Sequence, residues 1–285
     1  MAAPPLEAFF HADAAGRNRL YLHHRPPEGT PLRGAIVHIH PWAEEMNKSR
    51  RMAALTSRAL AEHGWSVLQH DLLGCGDSAG DFGDARWETW VQDVIDAARW
   101  LARRHPGAPL WLWGHRAGAL LAAAARERLD APADLLLWQP VQQGKALLQQ
   151  FLRLKAAAQL ADGGGKAVID GVRRALAAGQ SVDIAGYTLT PEMAQALEAA
   201  RLEPASAHPG QVVWLEVATD PAGGPSPATA AALPRWLAAG WAVDARTVAG
   251  PSFWQTTEIE DAPALVDATV AALGAPATPR PVPAA

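Results

Sequence analysis

The chain has 285 residues and a mass of 30.2 kDa, a length that one α/β domain can fill without disulfides or metals to hold it. Hydrophobic residues make up 49% and charged residues 19%, which excludes wholesale disorder. A formal net charge of −4 and a pI near 6.2 give no field that would draw in nucleic acid or an anionic membrane. The single cysteine, Cys75, excludes an intrachain disulfide and fits a reducing compartment. The opening MAAPPLEAFF lacks the basic and apolar regions of a signal peptide, and no uncharged apolar run nears the ~20 residues that span a bilayer. A cytoplasmic location is expected.

Short apolar runs alternate with segments of helical period, the pattern of a parallel sheet built from βαβ units. Residues 18–25 alternate and end at Pro26-Pro27, as an early edge strand would. Residues 34–40 read as a buried strand stopped by Pro41, and a helix over 49–63 ends at Gly64. The next strand, 65–70, closes in the turn Asp71-Leu72-Leu73-Gly74-Cys75-Gly76-Asp77-Ser78. Residues 87–105 carry a helical stripe of Trp90, Val94, Ala97, Ala98 and Leu101. A strand over 109–113 runs into Gly114-His115-Arg116-Ala117-Gly118 and a small-residue helix over 119–127. Strands at 134–138, 211–218 and 242–248 follow. Between Val141 and Pro209 there is no strand signal: 145–160, 168–178 and 191–201 read as helices, and Gly163-Gly164-Gly165 is a break. This gives a core of 1–140 and 210–274, a helical lid insertion over 141–209, and a disordered Pro/Ala-rich tail over 275–285.

A strand, then Gly-x-X-x-Gly, then a helix is the geometry of a nucleophile elbow, whose small flanking residues leave X exposed at the top of the sheet. Gly114, Ala117 and Gly118 are in register, and X is Arg116. With the His40-Pro41-Trp42 loop and the Asp-x-x-Gly-x-Gly-x-Ser turn upstream, the chain resembles the α/β-hydrolase fold over nearly its whole length. That resemblance implies a mostly parallel central sheet flanked by helices, with a helical lid. The segments HPWAEEMNKSR (40–50), QQFLRL (149–154), IAGY (184–187) and FWQTTE (253–258) are similar to the exosortase A system-associated hydrolase 2 family. The resemblance implies a hydrolase-class or acyl-transfer protein from bacterial gene neighbourhoods for exopolysaccharide production and the sorting of proteins with PEP-CTERM tails.

The residues themselves depart from hydrolysis. A guanidinium cannot attack a carbonyl. The only histidine after Arg116 is His208, ahead of the 211–218 strand, and the loop Gly250-Pro251-Ser252-Phe253-Trp254-Gln255 has no imidazole. Asp220 stands where this fold places a triad acid, so two of the three triad members are missing. What remains is an anion pocket: Arg116, the Ala117 and Trp42 backbone N–H groups, His40 orienting its loop, and Glu44 or Glu45 as the candidate general base. The alternative, that Arg116 forms a structural ion pair with Glu44 or Glu45, stays open.

Trp42 and Trp254 fall on loops that would ring the pocket, and Lys48, Arg50 and Gln255 on stretches that would line its mouth. His38, His40, His70 and Asp71 raise a metal site, but His38 reads as a core histidine and no metal or cofactor is expected. Cys75 has nothing nearby to lower its pKa, Ser252 reads as a loop residue, and His115 as packed against the strand. Two functions follow. One is a hydrolase or acyl-transfer enzyme acting on a small anionic or acylated molecule. The other is an inactive pseudo-hydrolase that binds an anionic ligand or a partner protein. A homodimer stays open.

Overall fold

In the computed structural model, which describes residues 4–158, 165–204 and 208–274, the apolar runs form one eight-stranded sheet and a separate hairpin. The strands are β1 (Leu6–Ala12), β2 (Asn18–His24), β3 (Gly34–Ile39), β4 (Trp65–His70), β5 (Leu110–His115), β6 (Ala133–Trp138), β7 (Val182–Ile184), β8 (Tyr187–Leu189), β9 (Gln211–Ala218) and β10 (Ala242–Ala249). The large sheet runs β1-β2-β4-β3-β5-β6-β9-β10, antiparallel as far as β4 and parallel from there. β3, β5 and β6 are buried at every residue, so they read as mostly apolar runs with both faces covered.

Side-chain alternation divides the core in two. Ile36, Val67, Trp111, Trp113 and Trp138 face α1 (Glu44–Glu62) and α8 (Pro263–Gly274). Val37, Leu68, Leu112, Leu137 and Trp214 face α2 (Trp87–Arg104), α3 (Gly118–Arg126) and α7 (Pro227–Ala238). Between β6 and β9 lie α4 (Gly144–Ala158), α5 (Gly165–Ala177), the β7–β8 hairpin and α6 (Pro191–Ala199). No helix among the described residues is long and apolar enough to cross a membrane.

Several elements differ from expectation. The strand at residues 18–25 is not an edge: β1 pairs along its outer side over seven residue pairs. The β7–β8 hairpin lies where no strand signal exists, because three-residue strands are too short to show a period. Its turn is set by Ala185 and Gly186, both at positive φ, as a tight hairpin requires. The first helix starts at Glu44 rather than near Ser49. Ser49 does not cap it; its hydroxyl donates to the Glu45 carbonyl at 2.7 Å, inside the helix. The proposed break at Gly163-Gly164 and the tail at 275–285 lie outside the described residues.

The loop after β4 is tied to the core by Trp90. Its ring meets Trp42 and Phe82 edge-on at 5.4 and 5.6 Å, and its indole N–H donates to the Leu73 carbonyl at 2.9 Å. Trp90→Ala is therefore expected to destabilise the fold by about 3–5 kcal/mol, read as a lower urea midpoint. An unchanged midpoint would mean that this cluster does not hold the loop.

Candidate functional site

The C-terminal ends of β3, β5 and β6 lie side by side, where an open α/β sheet places its ligands. Backbone strain gathers there. Among the described non-glycine residues only Ala43, Arg116, Gln139 and Ala185 have positive φ, and the first three stand at or near those strand ends, with φ of 47°, 54° and 41°. Such conformations cost on the order of 1–3 kcal/mol each and persist only where packing dictates them. At Arg116 the packing is plain. A Cβ on Gly114 would lie 2.5 Å from the Ala119 Cα, and one on Gly118 would collide with the Ile39 carbonyl oxygen. These two glycines let α3 close onto β5 and β3, with Arg116 at the apex of the turn.

The Arg116 side chain is clasped rather than free. Its Nε and Nη2 donate to the Glu45 carboxylate at 3.0–3.3 Å, and Nη2 also donates to Gln150 Oε1 at 3.1 Å. Gln150 Nε2 donates in turn to Glu45 Oε1 at 3.4 Å. The Glu45 side chain is 3% exposed and that of Arg116 12%. Burial pushes the Glu45 carboxyl above its ordinary value, and the Arg116 guanidinium pulls against that rise. The Trp254 ring lies 5.4 Å from the guanidinium carbon. Arg116 also borders a cleft of about 660 Å³, shared with Gln139, Gln142, Gln150, Glu216 and Thr229.

The other expected site residues are dispersed. Among the described residues nothing accepts from the Ala117 or Trp42 backbone N–H, and Ala117 opens α3 beside the loop that follows β3. His40 Nε2 accepts from the Leu72 N–H at 3.3 Å, so Nδ1 carries the proton and donates to the Pro41 carbonyl at 2.8 Å. Burial lowers its pKa, and the neutral ring pins its loop. Glu44 is partly buried and makes no hydrogen bond to Arg116; burial raises its pKa. Lys48 reaches the Gln255 carbonyl at 3.4 Å, and Gln255 is exposed. Arg50 pairs with Asp71 at 3.0 Å on a different cleft, of about 540 Å³, that includes Cys75 and Tyr187. Asp220 is exposed; its carboxylate caps the turn Pro221–Gly223 by accepting from the Ala222 N–H at 3.0 Å, and it touches none of the clasp.

The aromatic wall is core instead. Every tryptophan but Trp87 is buried. Trp42 packs edge-on against Phe82, Trp90 and Phe151 at 5.2–5.8 Å, and Trp254 against His115 and Phe253. His115 is enclosed by Trp138, Phe253 and Trp254, and burial holds its pKa well below the ordinary value. His38 stacks edge-on against Trp113 at 4.4 Å. Among the described residues no three His, Cys, Asp or Glu side chains converge as a metal site.

Two cleft residues were not anticipated. Glu216 interrupts the apolar run of β9 and is 5% exposed; it accepts from the Ser226 N–H and hydroxyl, both at 2.8 Å, and from the Thr229 hydroxyl at 2.7 Å. A carboxylate inside a buried strand demands such partners, and that was the available signal. Gln150 has none, being one polar residue on an amphipathic helix.

A family model described as serine aminopeptidase, S33, matches residues 30–166, from just before β3 to the start of α5. No curated protein matches the chain. Among solved structures it is similar to DcsB in complex with its substrate analogue, with 15% identity and a TM-score of 0.60 over 95% of this chain and 99% of that one. It is also similar to Est1E from Butyrivibrio proteoclasticus with ferulic acid bound (16%, TM-score 0.58, 93% and 96%). A thermostable carboxyl esterase from Bacillus coagulans in complex with glycerol is a third (15%, TM-score 0.57, 88% and 91%). The chain has the α/β-hydrolase fold.

Removing one partner of the clasp strands the other. Arg116→Ala is expected to destabilise by about 3–5 kcal/mol near neutral pH, because Glu45 then stays buried without its counter-charge. A carboxyl whose folded pKa is raised costs stability above that pKa, and the cost fades as pH falls through it. The Arg116→Ala deficit therefore shrinks toward acid pH, as Glu45 takes up a proton. Arg116→Met combined with Glu45→Leu should recover most of the loss. Urea midpoints across pH check this, and a double variant as unstable as Arg116→Ala would refute it.

Proposed function

We propose that this α/β-hydrolase fold has given up Ser-His-Asp hydrolysis and serves as a ligand-binding pseudo-hydrolase. The Arg116–Glu45–Gln150 clasp stands in the nucleophile's place, and the adjoining cleft is the binding site. The observation that carries this reading is the clasp itself, a guanidinium at the elbow apex already neutralised by a buried carboxylate. Nothing at the apex can attack a carbonyl. The neighbouring imidazole, His115, is sealed in aromatic packing, and the loop at 250–255 supplies none.

The cleft offers neutral amides from Gln139, Gln142 and Gln150 and two guanidinium groups, Arg116 bound to Glu45 and Arg235 bound to Glu203, beside a Glu216 carboxylate already taken up by Ser226 and Thr229, which suits a small anionic or acylated molecule. The described residues of the 141–209 insertion act as its lid, with Gln150 as the latch and the contacts of Trp42 with Phe151 and of Phe82 with Tyr187 holding it to the core. The resemblance of residues 40–50, 149–154, 184–187 and 253–258 to the exosortase A system-associated hydrolase 2 family supports a ligand drawn from exopolysaccharide metabolism.

A second reading keeps catalysis. Arg116 orients a carboxylate, the Ala117 and Trp42 N–H groups stabilise an oxyanion, and Glu45 or Glu44 acts as base. The retained elbow geometry and those two available N–H groups favour it.

Assays of wild type, Arg116→Ser and Arg116→Ala on p-nitrophenyl esters of several chain lengths and on acyl-CoA thioesters separate the two. All three are expected to be inert, Arg116→Ser because a serine without an imidazole is not activated. Turnover by wild type that disappears in Arg116→Ala would overturn the pseudo-hydrolase reading in favour of the second.

A further inference from the structure

We infer that the free edge of β1 pairs antiparallel with β1 of a second copy of this chain, joining the two sheets across a two-fold axis centred on Phe9. β1 ends the sheet, and among the described residues nothing pairs with its outer side. The parity of its ladder is fixed by two flanking bonds of the same register, Arg25 N–H to Pro5 O and Asp13 N–H to Arg17 O, each 2.9 Å. Odd-numbered residues thus bond inward to β2, and Leu6, Ala8, Phe10 and Ala12 aim their N–H and C=O groups outward.

The usual protections of an exposed edge are missing here. Residues 6–12 contain no proline and no lysine, and the pairing with β2 runs seven residues without a bulge. The opposite edge, β10, is blunted by Asp244 and Arg246, whose side chains pair with each other at 2.6 Å. On β1, Phe9 and His11 turn inward against Tyr21 and Trp100, while Leu6 and Phe10 on the other face are 50% and 58% exposed.

The occupant is identified by self-complementarity. With the axis at Phe9, Ala8 meets Phe10 of the other copy, Leu6 meets Ala12, and Glu7 meets His11, twice over. The outward-bonding residues face one another, as the parity requires, and the exposed apolar side chains form one strip. Moving the axis to Ala8 sets Glu7 against Phe9, and moving it to Phe10 sets Glu7 against Asp13. Neither register sets Glu7 opposite a hydrogen-bond donor side chain, as the Phe9 axis does with His11. Pairing of one seven-residue strand covers less than a standard interface, so the association is weak and depends on concentration.

Sedimentation velocity on the full chain, from roughly 1 µM to roughly 500 µM, should show a monomer passing into a dimer. Ala8→Pro removes an outward N–H but no bond to β2, and Phe10→Lys puts a charge on the strip. Each should raise the dissociation constant about tenfold or more, with the circular dichroism and thermal midpoint of wild type. The register is read separately: under mild oxidation, Ala8→Cys mixed with Phe10→Cys should cross-link, and either alone should not. Cys75 is buried and does not compete. A monomer throughout the range, a dimer untouched by both edge variants, or equal cross-linking of Ala8→Cys alone would each overturn the proposal.

Discussion

A buried guanidinium must be paired, and the pairing of Arg116 with Glu45 organises the top of this sheet. The elbow aims residue 116 out of the β5–α3 turn with φ at 54°, and the side chain returns to a carboxylate that is almost wholly inaccessible. That geometry needs α1 to begin at Glu44, so that Glu45 lies in its first turn and points toward the elbow. It also needs α4 to deliver Gln150, which bonds to both charges. Three segments far apart in sequence thus meet on one ion pair. Replacing both charges together is far milder than removing one, so the pair acts more as a device of position than as a source of stability.

The same arrangement decides what chemistry is left. The Glu216 carboxylate is consumed by Ser226 and Thr229, and the Glu45 carboxylate by the clasp. The His40 ring is committed at both nitrogens, and His115 is enclosed by aromatic rings. These four groups are therefore held by the protein itself, and Glu44 is the carboxylate near the clasp whose buried Oε2 has no hydrogen-bond partner among the described residues. On the proposed reading, the Gln139, Gln142 and Gln150 amides and the Arg116 guanidinium that line the cleft recognise a ligand without breaking its bonds.

Local features were legible in the sequence, and tertiary ones were not. The elbow could be read because Gly114 and Gly118 are required by contacts a few residues away or on the adjoining strand. The parallel strands could be read because burial on both faces makes them continuous apolar runs. β1 was hidden because LEAFFHA alternates on only one covered face, and β7 and β8 because three residues carry no period. The choice between Glu44 and Glu45 was undecidable without the helix start, since adjacent helical residues point about 100° apart. Trp42 and Trp254 occupy loops in chain order yet lie inside the packing, a matter only the folded neighbours decide. Asp220 has the right place in the chain, but its carboxylate is spent on its own turn.

On the pseudo-hydrolase reading, the strained backbone at Ala43, Arg116 and Gln139 serves the fold rather than a reaction. At Arg116 the glycine contacts on either side dictate the turn, and at Gln139 the side chain is held by accepting the Val217 N–H at 2.9 Å. An elbow of this kind holds whatever residue it is given in the same exposed pose. With a serine and a facing imidazole that pose produces an alkoxide; with an arginine it produces a fixed positive charge that recruits the nearest carboxylate. Restoring the first state takes at least two changes, at the apex and in the loop at 250–255, and the first of them strands Glu45 in the interior. On the reading proposed here, the clasp is self-locking: any single step back toward hydrolysis loses stability before it gains a nucleophile that works.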